Sequence, residues 1–122
     1  MSEKTKKIIA WVLIILPSVA LLGSAFGKIA GAGEPVEMLK SWGLTEYILM
    51  IGIVELFSVI LFLVPKTQVI GLLLLNAYLG GAIATHLQHD GFAKAVPAIV
   101  LLGLIWIGSF LRKPSLIEDI TN

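Results

Sequence analysis

Few residues in this chain are equipped for chemistry, and their positions narrow what that chemistry can be. Glu55 is the only charge in an apolar run from Tyr47 to Val64, and Asn76 is the one strongly polar residue between Val69 and Ala84. His86 and His89 are the only histidines, spaced so that one helical face would carry both. Cysteine is absent. That excludes disulfides, dithiol redox catalysis, thiolate metal sites and thioether haem attachment. No catalytic constellation is recognisable, so the reading leans away from an enzyme. A redox role would need a bound cofactor or a partner subunit.

Glu55 most needs an explanation. If its run crosses a bilayer, an ionised carboxylate there is costly, so the side chain is expected to be neutral, paired or open to a water-filled cavity. Glu55 and Asn76 are equidistant from the Pro65-Lys66 turn. An antiparallel hairpin would put them at one depth, which makes Asn76 the expected hydrogen-bond partner. Ser58, one turn from Glu55, and Ser18 on the first run are further partners. Such a group can serve as a clasp that sets helix register, or as a ligand or proton site. His-x-x-His can contribute to a metal site, but the nearest acids are Asp90 and the loop residues Glu34, Glu37 and Glu46. A helix cap or interfacial hydrogen bond is the expectation, with no metal. His86 should lie roughly 15 Å from Glu55 in depth, at 1.5 Å of rise per residue. The two would then bound one cavity from its mouth and its floor.

The elements that must position these residues follow from composition. Of 122 residues, 57% are hydrophobic and 14% charged, with a mean hydropathy of +0.97. A small water-soluble domain could not cover its surface with so little polar material. A net charge of +1 offers no basic field for nucleic acid. Ile8 to Gly27 contains no ionisable residue, a run of twenty that matches the ~20 needed to cross hydrocarbon. We expect one all-α membrane domain over residues 1–122, with spans near 8–28, 46–64, 68–86 and 94–111. The first run exceeds the ~7–15 residues of a signal-peptide core, so it is read as a span and not a cleaved leader.

The links carry their own signals. Pro65-Lys66-Thr67 predicts a tight hairpin between the second and third spans. Glu34-Pro35 opens a pattern in which Val36, Leu39 and Trp42 share a face and Gly43 ends it, predicting a short interfacial helix between the first and second spans. With the N-terminus inside, the cytoplasmic side carries Lys4, Lys6, Lys7, Lys66, Arg112 and Lys113, and the other side Lys28, Lys40 and Lys94. Both termini are therefore expected in the cytoplasm. Trp11, Trp42, Tyr47 and Trp106 lie near span ends, as interfacial anchors do. Pro17 should kink the first helix and free a carbonyl. Gly23, Gly27 and Gly31, Ala77 and Gly81, and Gly80 and Ala84 recur at four-residue spacing, which predicts close helix packing within the subunit and leaves self-association open.

Several segments together carry a resemblance: Gly27-Lys28, Trp42-Gly43-Leu44, Ile51-Gly52-Ile53-Val54-Glu55-Leu56, Pro65-Lys66-Thr67, and above all Tyr78-Leu79-Gly80-Gly81-Ala82-Ile83-Ala84-Thr85-His86-Leu87. From about Trp11 to Arg112 the chain resembles the DoxX-like family of small bacterial membrane proteins. The resemblance implies a four-helix bundle in the plasma membrane. Some members of the wider family are linked to membrane redox work, including quinone-reducing thiosulfate oxidation and a complex with oxidative-stress enzymes. Distant relatives share a bundle with vitamin K epoxide reductase, whose thiol chemistry this chain lacks the cysteines to perform. The expected role is a non-catalytic binding or accessory subunit that holds a quinone, a lipid or another small hydrophobic molecule, with Glu55, Asn76, His86, Ser58 and Lys28 as its polar contacts. Its expected partners are the bilayer, a soluble redox protein and further copies of itself. A scaffold without ligand is the alternative, and proton-coupled transport through Glu55 a third.

Overall fold

In a computed structural model, which describes residues 2–121, the chain is helical throughout its regular structure. Four long helices carry the architecture: α1 (Glu3–Ala30), α3 (Ile48–Leu63), α4 (Gln68–His89) and α5 (Phe92–Arg112). Two short ones, α2 (Glu34–Ser41) and α6 (Leu116–Thr121), follow α1 and α5. All four long segments are long and apolar enough to cross a membrane. At ~1.5 Å per residue the 28 residues of α1 outreach the ~30 Å hydrocarbon layer, so its charged N-terminal turns stand clear of it.

Local chemistry sets where helices start and stop. Ser2 caps α1 by accepting the Thr5 N–H at 3.1 Å. At the other end Gly31 is left-handed (φ 74°), and the Ala32 N–H reaches back to the Gly27 carbonyl at 2.9 Å. Gly43 (φ 78°) ends α2 in the same way, with the Leu44 N–H on the Leu39 carbonyl at 3.0 Å. The anticipated short helix is thus present. Its Val36 and Leu39 are buried against Ile48, with Trp42, Leu44 and Ile51 alongside.

The long helices pack in the cyclic order α1, α3, α4, α5, each on two neighbours. Close approaches fall at three glycines. A methyl group on Gly71 would collide with the backbone of Leu61 and Phe62 across the α3–α4 hairpin. On Gly108 it would sit 3.0 Å from Ile14, and on Gly52 2.8 Å from the Lys28 Cβ. Gly108 also lies against Leu13, whose carbonyl loses its helical donor to Pro17, although α1 runs on through that proline as one helix. The four-residue stripes were expected to do this packing, and they do not. Gly23, Gly80 and Gly81 have open space where a Cβ would go, and Gly27 and Gly31 form the helix end.

One end of the bundle is closed. Arg112, at the end of α5, donates to the Phe62 carbonyl at 2.7 Å, one of the orphan acceptors that end α3. Its guanidinium lies over the rings of Phe62 and Trp11, 5.0 and 5.5 Å from their centroids. Below it Ile14, Val59, Phe62, Leu72, Leu75 and Ile105 form a dry core. The outer face is apolar as well: Leu16, Val19 and Phe57 are 61%, 62% and 60% exposed. An outside that greasy requires lipid as its solvent.

Candidate functional site

The other end of the bundle is hollow. A cavity of about 470 Å³ lies between the four long helices beneath α2, within the range of small-molecule sites. Its room comes from small side chains facing inward: Ala20 and Ser24 from α1, Ala77, Gly81 and Thr85 from α4, and Ala98 from α5. The Ala77–Gly81 spacing seen in the sequence is therefore a cavity wall. Leu21, Leu39, Ile51, Leu79 and Leu101 supply half of the apolar remainder.

Glu55 is 1% exposed and is answered by Lys28, itself only 6% exposed. Lys28 leaves the last turn of α1 and turns inward, which Gly52 permits by letting the lysine stem pass close to α3. Its Nζ donates to Glu55 Oε1 at 2.8 Å, to Ser24 Oγ at 2.7 Å and to the Tyr78 hydroxyl at 2.7 Å. An ammonium has three donors, and here all three are used. Ser24 adds a longer bond to the same Glu55 oxygen at 3.3 Å. Glu55 is thus paired, one of the three states open to it, and the pair borders the cavity.

The expected Glu55–Asn76 clasp is not formed. Asn76 does lie on the facing helix, but on its outer, exposed side, where its Oδ1 accepts the Trp106 indole N–H at 3.0 Å. Equal depth fixed the level of the two residues and not their direction. Ser58 and Ser18 return their hydroxyl protons to their own helices, at the Val54 and Ile14 carbonyls (2.7 and 2.6 Å), and do not reach Glu55. Of the five candidate residues the cavity gathers Glu55, His86 and Lys28, and leaves out Asn76 and Ser58. Ser24 and Tyr78 were missed. Tyr78 lies in the stretch that carried the resemblance, and helical periodicity puts it on the Leu75–Leu79 inner side of α4.

The rim is aromatic. His86 Nδ1 donates to Asp90 at 2.9 Å and His89 Nδ1 to the Thr85 carbonyl at 2.9 Å, so both act as local bonds at the helix end. Trp42 from the end of α2 stacks on His89 (centroids 4.7 Å apart) and meets His86 edge-on at 5.2 Å. That contact ties α2 across the cavity to α4. Among the described residues no cluster of three or more His, Asp or Glu side chains converges as a metal site requires.

The arrangement is an apolar chamber with a compact polar group deep inside and an aromatic rim at its mouth. It has hydrogen-bonding groups to orient a ligand. No curated protein and no solved structure matches the chain. A family model matches residues 12–108, from the early turns of α1 almost to the end of α5 and so across the whole chamber, and by it this multi-pass membrane protein belongs to the DoxX-like family.

Proposed function

We propose that the protein is a non-catalytic binding subunit that holds one small hydrophobic molecule, a quinone or a lipid, in the chamber between its helices. The observation that carries this reading is that inward-facing small residues leave about 470 Å³ unfilled beside a buried ion pair. Helix bundles close such gaps readily with larger side chains, and an unfilled one forfeits packing energy. Its persistence beside oriented polar groups fits an occupant. In a membrane redox assembly the protein would present that molecule to a soluble partner, since none of its own side chains transfers electrons. We place it in the plasma membrane with both termini cytoplasmic, so that the chamber lies towards the opposite face.

The test uses Gly81, which lines the chamber and has open space where a side chain would go. Gly81→Leu should fill the chamber while the bundle stays folded with an equal or higher Tm. Native mass spectrometry of gently extracted protein should show a bound small molecule on the unmodified chain and none on the variant. One observation favours a scaffold without ligand: the three donors of Lys28 are already used within the protein. If the unmodified chain carries no ligand and Gly81→Leu only stabilises it, the protein is a scaffold and not a binding subunit.

A further inference from the structure

We infer that the chamber selects an uncharged ligand head bearing a hydroxyl group, an alcohol or a phenol, over a carboxylate or an ammonium. This rests on the chamber being a ligand site, and it adds what that ligand must be. The ionisable side chains that line the chamber are Lys28, Glu55, Tyr78 and His86. Lys28 and Glu55 neutralise one another at 2.8 Å, and His86 is tied to Asp90 at 2.9 Å, so the wall presents no net charge. A bound anion would set a second negative charge beside Glu55, and a bound cation a second positive charge beside Lys28. Neither would find a counter-ion in the apolar remainder, and an unpaired charge there is strongly disfavoured.

Hydrogen-bonding capacity points the same way. Lys28 has no donor left to offer an anionic head. The Tyr78 hydroxyl accepts from Lys28 and gives its own proton to the Glu55 carboxylate. Glu55 receives Lys28 and Ser24 on Oε1 and the Tyr78 proton as well, which leaves one of the about four acceptor positions of a carboxylate open. A remaining acceptor in a neutral wall is matched by an uncharged donor, a hydroxyl group that donates to Glu55, whereas a carboxylate has no hydrogen to offer it.

The experiment compares three probes that share one chain and differ only in the head: dodecanol, dodecanoate and dodecylammonium. Each is titrated at neutral pH into the full chain in nanodiscs of uncharged lipid, with Gly81→Leu nanodiscs subtracting partition into the bilayer. Trp42 fluorescence at the rim reports binding, after Trp11→Phe and Trp106→Phe remove the other indoles. Dodecanol should bind at least about tenfold more tightly than either ion, and Tyr78→Phe, which frees a further acceptor position on Glu55, should widen that margin without unfolding the bundle. Dodecanoate or dodecylammonium binding as tightly as dodecanol overturns the headgroup assignment and leaves the chamber a ligand site. Failure of all three to bind beyond the Gly81→Leu background overturns both the assignment and the binding role.

Discussion

At the scale of single residues, Lys28 and Glu55 decide how the hollow end is held together. Removing one member of a buried ion pair strands the other, at a cost of about 3–5 kcal/mol, whereas removing both restores much of the loss. Glu55→Gln and Lys28→Met should therefore each destabilise strongly in SDS-titration unfolding of micellar protein, and the double variant should be less destabilised than their sum. Asn76→Ala should cost about 1 kcal/mol, as for one hydrogen bond at a lipid-facing surface, and should add independently to Glu55→Gln. Strong coupling between Glu55 and Asn76 would contradict the geometry. That Glu55 needed a partner was legible, because a lone carboxylate in an apolar run is conspicuous. Which partner was not. Lys28 sits at a helix end, where lysines ordinarily extend to the interface, and only the approach over Gly52 turns it inward.

At the scale of elements, identical glycine changes on one helix should have opposite consequences. Gly71→Ala drives a methyl into the Phe62 backbone and must part the α3–α4 hairpin or bend it, at about 1–3 kcal/mol. Gly80→Ala meets open space, and its better helix propensity stabilises by up to ~1 kcal/mol. Thermal unfolding of the two variants should move the Tm in opposite directions. The four spans, the tight α3–α4 turn and the short helix at Glu34–Ser41 were legible because runs of apolar residues, Pro65 and Glu34-Pro35 act locally. The glycines were not. Gly27 and Gly31 end a helix, Gly81 walls a chamber and Gly71 seats a neighbouring backbone, yet in the sequence all four are simply small residues in apolar surroundings.

At the scale of the whole molecule, the proposed orientation rests on the sidedness of charge, and the burial of Lys28 alters the count. Lys4, Lys6, Lys7, Lys66, Arg112 and Lys113 gather at the closed end of the bundle, and Lys28, Lys40 and Lys94 at the hollow end. Lys28, however, is 6% exposed and neutralised by Glu55, so it is withdrawn from the charge that a membrane senses. Six cations against two make a firmer case for retaining the closed end in the cytoplasm than six against three. Because the chain has no cysteine, any single introduced thiol reports its own position. In intact cells a membrane-impermeant maleimide should label Lys40→Cys and Lys94→Cys, on the chamber side. Lys4→Cys and Lys66→Cys should react only after the membrane is opened. The reverse pattern would turn the mouth of the chamber towards the cytoplasm, and any soluble partner that exchanges a ligand through it would then have to be a cytoplasmic one.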